Sequence, residues 1–131
     1  MRVLLAFEEE YRVYSEAVAD AIRIFRSHFE VALTNTEELE AEVERFDPHL
    51  VICSSPIPSN PVEPQLTGSI ELSPDPDQPS SFRVGERHWE STNPTLGEIL
   101  WVVDETNLLY RTSREAELID TDEEEYSELV S

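Results

Sequence analysis

The chain has 131 residues, 39% hydrophobic and 29% charged, the size and composition of one domain with one core. Its charge is lopsided: 29 acids against 9 bases, all of them arginine, give a formal net charge of −20. Such a surface repels phosphate backbones and anionic bilayers, so neither nucleic-acid binding nor membrane attachment is expected, and no apolar run approaches the length of a span. The single cysteine allows no internal disulfide, which points to a reducing, cytoplasmic setting. The apolar pattern starts at residue 2, and no secretory leader is expected before it. Acidity of this degree has two bland sources, a salt-adapted proteome or selection for solubility, and one functional reading, an acidic decoy that binds a basic partner.

Residues 3–7 are continuously apolar and bounded by Glu8, Glu9 and Glu10, the pattern of a strand buried on both faces. A helix over about residues 11–26 follows, with Val13, Ala17, Ala21, Ile24 and Phe25 as its apolar face. The three glutamates fall in its first turn, where the helix dipole favours negative charge. Residues 29–33 form a second strand. Asn35 or Thr36 caps a second helix that carries Leu39, Val43 and Phe46 and stops at Asp47-Pro48. Residues 50–53 are a third buried strand, so the order is strand, helix, strand, helix, strand, and parallel crossovers follow from it.

Beyond Ser54 the regularity lapses. Pro56, Pro58, Pro61 and Pro64 exclude a helix there, and a second proline-rich loop spans residues 73–79 after a short fourth strand at residues 69–72. Gly85-Glu86 is a two-residue hairpin turn between residues 82–84 and 87–89. Helical periodicity returns over residues 94–107 through Leu96, Ile99, Leu100 and Val103, with Pro94 in its first turn. The remainder, residues 114–131, is an acidic helix or tail outside the α/β domain of residues 1–113.

This order of elements resembles the receiver domain of response regulators, over about residues 2–107 and in architecture more than in identities. The carriers are the strand ending in Glu8-Glu9, the Asp47-Pro48 turn leading into a strand that ends at Ser54, the strand ending at Ser73, and Asn93-Pro94 before the last helix. The resemblance implies a flavodoxin-like three-layer sandwich with a mostly parallel five-stranded sheet of order 2-1-3-4-5. Here the helices after strands three and four are replaced by proline-rich loops. It also implies a ligand cleft at Glu8, Glu9, Ser54, Ser73 and Asn93. Two departures decide its chemistry. Ser54 stands where receivers carry the phosphoacceptor aspartate, and Asn93 where they carry lysine; the chain has no lysine to substitute. Phosphoryl transfer needs a carboxylate nucleophile, a cation and positive charge on the transferred oxygens, so the resemblance is to a degenerate receiver that does not use aspartyl phosphate.

The residue types favour the same restraint. Glu8 and Glu9 are weak candidates for a divalent cation, and with no third carboxylate at Ser54 neither metal nor cofactor is expected. Three glycines in the whole chain leave no cradle for a nucleotide or flavin. Cys53 lies in an apolar strand, without His49 or His88 nearby in sequence, and reads as a structural cysteine. Arg83 and Arg87 form a candidate cationic spot on the hairpin. The expected function is a non-catalytic, phosphorylation-independent interaction module with an unidentified protein partner. The alternative is a small-molecule or metal-binding protein, or minor enzyme, using the cleft. With one sheet face thinly covered, a homodimer is expected, its interface near the loop-covered face and the hairpin at Phe82, Trp89 and Trp101.

Overall fold

A computed structural model describes residues 1–54, 66–73 and 75–130, with side chains through 114. Among them are six strands and three α-helices: β1 (Arg2–Phe7), α1 (Arg12–Phe25), β2 (Glu30–Asn35), α2 (Leu39–Phe46), β3 (Leu50–Cys53), β4 (Gly68–Glu71), β5 (Pro79–Val84), β6 (Arg87–Thr92) and α3 (Leu96–Val130). The chain is α/β, built on one mixed sheet of order β2-β1-β3-β4-β5-β6. Pairs among β2, β1, β3 and β4 are parallel, and β5 and β6 join antiparallel. The expected five-stranded, mostly parallel layout is therefore corrected. The reason is local: Gly85, at φ +60°, makes a two-residue turn that pairs Val84 with Arg87 and extends the hairpin into two six-residue strands. The proline-rich stretch at residues 55–65, with Pro56, Pro58, Pro61 and Pro64, lies outside the described residues, as does Pro74.

β1 and β3 organise the interior. Val3, Leu5, Phe7, Leu50 and Ile52 point to one face, where Val18, Ala19 and Ile22 of α1 and Ile99, Val102 and Val103 of α3 cover them. Leu4, Ala6, Val51 and Cys53 point to the other, under Leu39 and Val43 of α2 and Leu66. Period-two alternation in strands buried on both sides gives each face its own cluster. Arg26 at the end of α1 reaches Asp104 of α3 through two contacts of 2.6 Å, joining the two helices of the first face.

Three expectations fail here. The apolar face read for α1 is the wrong one: Ser15, Val18, Ala19 and Ile22 are buried. Val13 and Ile24 are 81% and 73% exposed, and Phe25 57%. The last helix does not stop at residue 107 but runs unbroken from Leu96 to Val130. Its N-cap is Thr95, whose hydroxyl accepts from the Glu98 amide at 3.1 Å, so Pro94 stands before the cap rather than in the first turn. Arg83 and Arg87 form no joint cationic spot. Arg83 sits on one face and donates to the Leu66 and Gly85 carbonyls, while Arg87 sits on the other and pairs with Glu105 of α3. Among the described residues no helix is long and apolar enough to cross a membrane.

At Gly68 α3 packs closely on the sheet. A Cβ there would stand 2.5 Å from Thr106 Oγ1 and 3.0 Å from the Arg83 carbonyl oxygen. Gly68→Ala should therefore destabilise by about 1–3 kcal/mol, the cost of overpacking a close-packed core. Combining it with Thr106→Ala should recover part of that loss in urea unfolding. Strictly additive effects would show that the helix does not press on β4 at this point.

Candidate functional site

The carboxyl ends of β1, β3 and β4 meet the start of α1 and the β6–α3 junction at one edge of the sheet. The polypeptide leaves β1 through a single 3₁₀ turn, Glu9–Tyr11, closed by the Tyr11 amide on the Glu8 carbonyl at 2.9 Å. That tight turn separates the glutamates. Glu9 turns to Arg12 at 3.5 Å, whereas Glu8 meets Glu10. The hydrogen bond between the Glu8 and Glu10 carboxyls, with desolvation and like charge behind it, holds the Glu8 pKa above its ordinary range. Partial desolvation and the same two carboxylates push the Tyr11 phenol upward.

Ser54 is almost fully buried, and its Oγ accepts the Glu8 backbone N–H at 2.9 Å. The hydroxyl thereby brackets the ends of β3 and β1. Ser73 is likewise engaged: its amide donates to Ser80 Oγ at 2.9 Å and its hydroxyl accepts from the Asp75 amide at 3.2 Å. Asn93 adopts the left-handed backbone, φ 50°, a conformation that asparagine tolerates better than most residues. Ser73 and Asn93 line a cleft of about 310 Å³ with Tyr11, Tyr14 and Pro76. Glu9 lines a different groove, of about 290 Å³, between the starts of α1 and α2. The expected five-residue cleft is thus divided. Tyr11 and Tyr14 are the residues missed, because their placement depends on the 3₁₀ turn.

Cation and nucleophile chemistry finds little to work with. No group of three histidine, cysteine, aspartate or glutamate side chains converges among the described residues. Cys53 is buried and its Sγ lies 3.7 Å from the Ile70 carbonyl oxygen. His49 is at the opposite end of β3, where Nδ1 accepts the Arg2 amide at 2.9 Å and the ring packs on Tyr110, centroids 3.8 Å apart. Burial, then the charges of Arg2 and the N-terminus, lower its pKa to about 4.

The aromatic candidates form a ladder from core to surface. Phe82 is 1% exposed and stacks on Trp89 at 5.7 Å; Trp89 in turn meets Trp101 edge-on at 5.7 Å. Phe82 is therefore corrected to a core residue, since its register opposite Trp89 places it beneath α3. Trp101 remains half exposed. Comparison of the chain with protein-family models, curated proteins and solved structures yields no match.

Two titrations test these environments. Because the folded state holds His49 near 4 and the unfolded chain near 6.5, the unfolded state binds the extra proton between those values. Stability should fall as pH drops from about 6.5 to about 4, by about 1–2 kcal/mol once solvent screening of the half-buried ring is allowed for. The difference between the native chain and His49→Gln in urea unfolding at either end isolates the effect; parallel pH profiles would refute it. For the acidic pair, Glu10→Gln should lower the Glu8 pKa in carboxyl carbon NMR. An unchanged midpoint would mean that the two groups do not meet.

Proposed function

We propose that the chain is a non-catalytic protein-interaction module, related in design to a response-regulator receiver but working without phosphorylation. The observation that carries this reading is the solvent face of α1, where Val13, Ile24 and Phe25 are all more than half exposed. Large apolar side chains left in solvent along one helix mark a contact surface. The parallel half of the sheet, β2-β1-β3-β4, with α1 and α3 on one face and α2 on the other, supports the flavodoxin-like comparison. The antiparallel β5–β6 hairpin departs from it.

The sheet edge supports independence from phosphorylation. Ser54 offers a hydroxyl already bound to the Glu8 amide where phosphoryl transfer would require a carboxylate. Asn93 offers no charge for the transferred oxygens. A cytoplasmic location belongs to the same proposal, since the buried Cys53 suits a reducing compartment. A second reading, small-molecule binding at the sheet edge, rests on the cleft between Tyr11, Tyr14, Ser73, Pro76 and Asn93.

Incubation with acetyl phosphate and Mg²⁺ should leave the intact mass unchanged. A stable phosphoryl adduct, or a stoichiometric beryllofluoride complex, would overturn the reading.

A further inference from the structure

The apolar face of α1 continues onto α3. On α1, Val13, Ala17 and Ile24 lie opposite the buried arc of Ser15, Val18, Ala19 and Ile22, and Tyr14 and Phe25 turn from that outer line towards α3. Facing them, Leu96 is 42% exposed. Between the helices runs an open groove of about 320 Å³ lined by Tyr14, Ala17, Val18, Pro94, Leu96 and Ile99. Every lining side chain is apolar except for the Tyr14 hydroxyl. Val13 and Ile24 are eleven residues apart, about 16 Å along the helix axis, so a partner helix of about three turns matches the length of the stripe.

Charge selects the occupant. The nearby arginines are already engaged: Arg12 with Glu9 and Glu16, Arg23 with Asp20, Arg26 with Asp104. At one end of the groove stand Glu8 and Glu10, whose carboxyls crowd each other beside Tyr11. At the other, the Asp104 carboxylate is held by Arg26. A second copy would bring a further −20 against this surface. A basic partner gains attraction where a copy meets repulsion.

We propose that the α1–α3 groove receives an amphipathic helix of a partner protein, its apolar stripe laid over Val13, Ala17, Ile24 and Leu96 and its lysines or arginines directed at the acidic end of Glu8 and Glu10. The inference rests on the interaction-module reading and names that module's surface and partner chemistry. Helix-in-groove recognition of this kind sets apolar anchors at three- and four-residue steps and takes specificity from flanking charge.

The test uses the full chain and an 18-residue amphipathic helix made of leucine and lysine. Binding should shift amide resonances of residues 13–25 and 96–100, and weaken at least tenfold in Ile24→Glu and in Val13→Glu. Both variants should fold normally, because these side chains stand in solvent. Raising NaCl from about 0.1 to about 1 M should weaken binding at least tenfold as screening shortens to about 3 Å. A leucine–glutamate peptide of the same pattern should not bind. Shifts confined to residues 115–130, with both variants binding as well as the native chain, would overturn the groove as the site. Absence of peptide binding would overturn the proposal as well. If sedimentation then revealed a dimer that Ile24→Glu dissolves, the occupant would be a second copy and the interaction-module reading would stand. A monomer that binds no peptide but takes up phosphate from acetyl phosphate would remove both.

Discussion

Everything in this fold follows from β1 and β3 having no polar side. Val3 to Ala6 and Leu50 to Ile52 are completely buried, and both strands are flanked by parallel neighbours. A strand of this kind is stable only between two apolar layers, since leaving either face wet would expose four or more apolar side chains. The even residues of β1 take α2, the odd residues take α1 and α3, and the connections between them are fixed by that demand. At the odd face the two helices must lie side by side, which brings Arg26 to Asp104 and sets the groove between them.

The same demand explains what the sequence disclosed and what it withheld. The two central strands, β1 and β3, were legible because no polar residue interrupts Val3 to Phe7 or Leu50 to Cys53. α2 was legible because Leu39 and Val43 stand alone among charges, with Asn35 Oδ1 accepting the Glu38 amide at 2.9 Å just ahead of the helix. α1 was legible in extent but not in its buried face, because it offers two apolar arcs at helical spacing. Val13, Ala17, Ala21 and Ile24 form the more hydrophobic one. The arc actually buried contains Ser15, whose cost is offset by its own hydroxyl donating to the Arg12 carbonyl at 2.9 Å. Periodicity ranks faces by polarity, whereas burial is decided by the angle at which the chain leaves β1. The 3₁₀ turn at Glu9–Tyr11 sets that angle, and no pattern in the glutamates announces it.

The sheet edge shows the same division. Ser54, Ser73 and Asn93 were found by position along the chain, because strand ends are well marked. Which way each glutamate faces was hidden in the turn, which sends Glu9 to Arg12 and away from Glu8. Phe82 was misread as a contact residue for a comparable reason. An alternating strand shows which residues share a face, but only the register of the hairpin puts Phe82 against Trp89 and under α3.

These two regions carry opposite kinds of polarity balance, and that contrast bears on what the protein does. At the sheet edge the polar groups satisfy one another: Ser54 holds the Glu8 amide, Ser80 holds the Ser73 amide, and Ser73 holds the Asp75 amide. A ligand entering there would have to break bonds already made, and an unmade buried bond costs more than a new one returns. On the α1–α3 face nothing need be broken. Val13, Ile24 and Leu96 are solvated by water that binds them weakly, and covering them releases free energy in proportion to the apolar area removed. Binding is therefore favoured where the surface is apolar and open, and disfavoured where it is polar and closed. The side chains that would do the work lie on the helices, one layer away from the strand ends where the receiver comparison first directs attention.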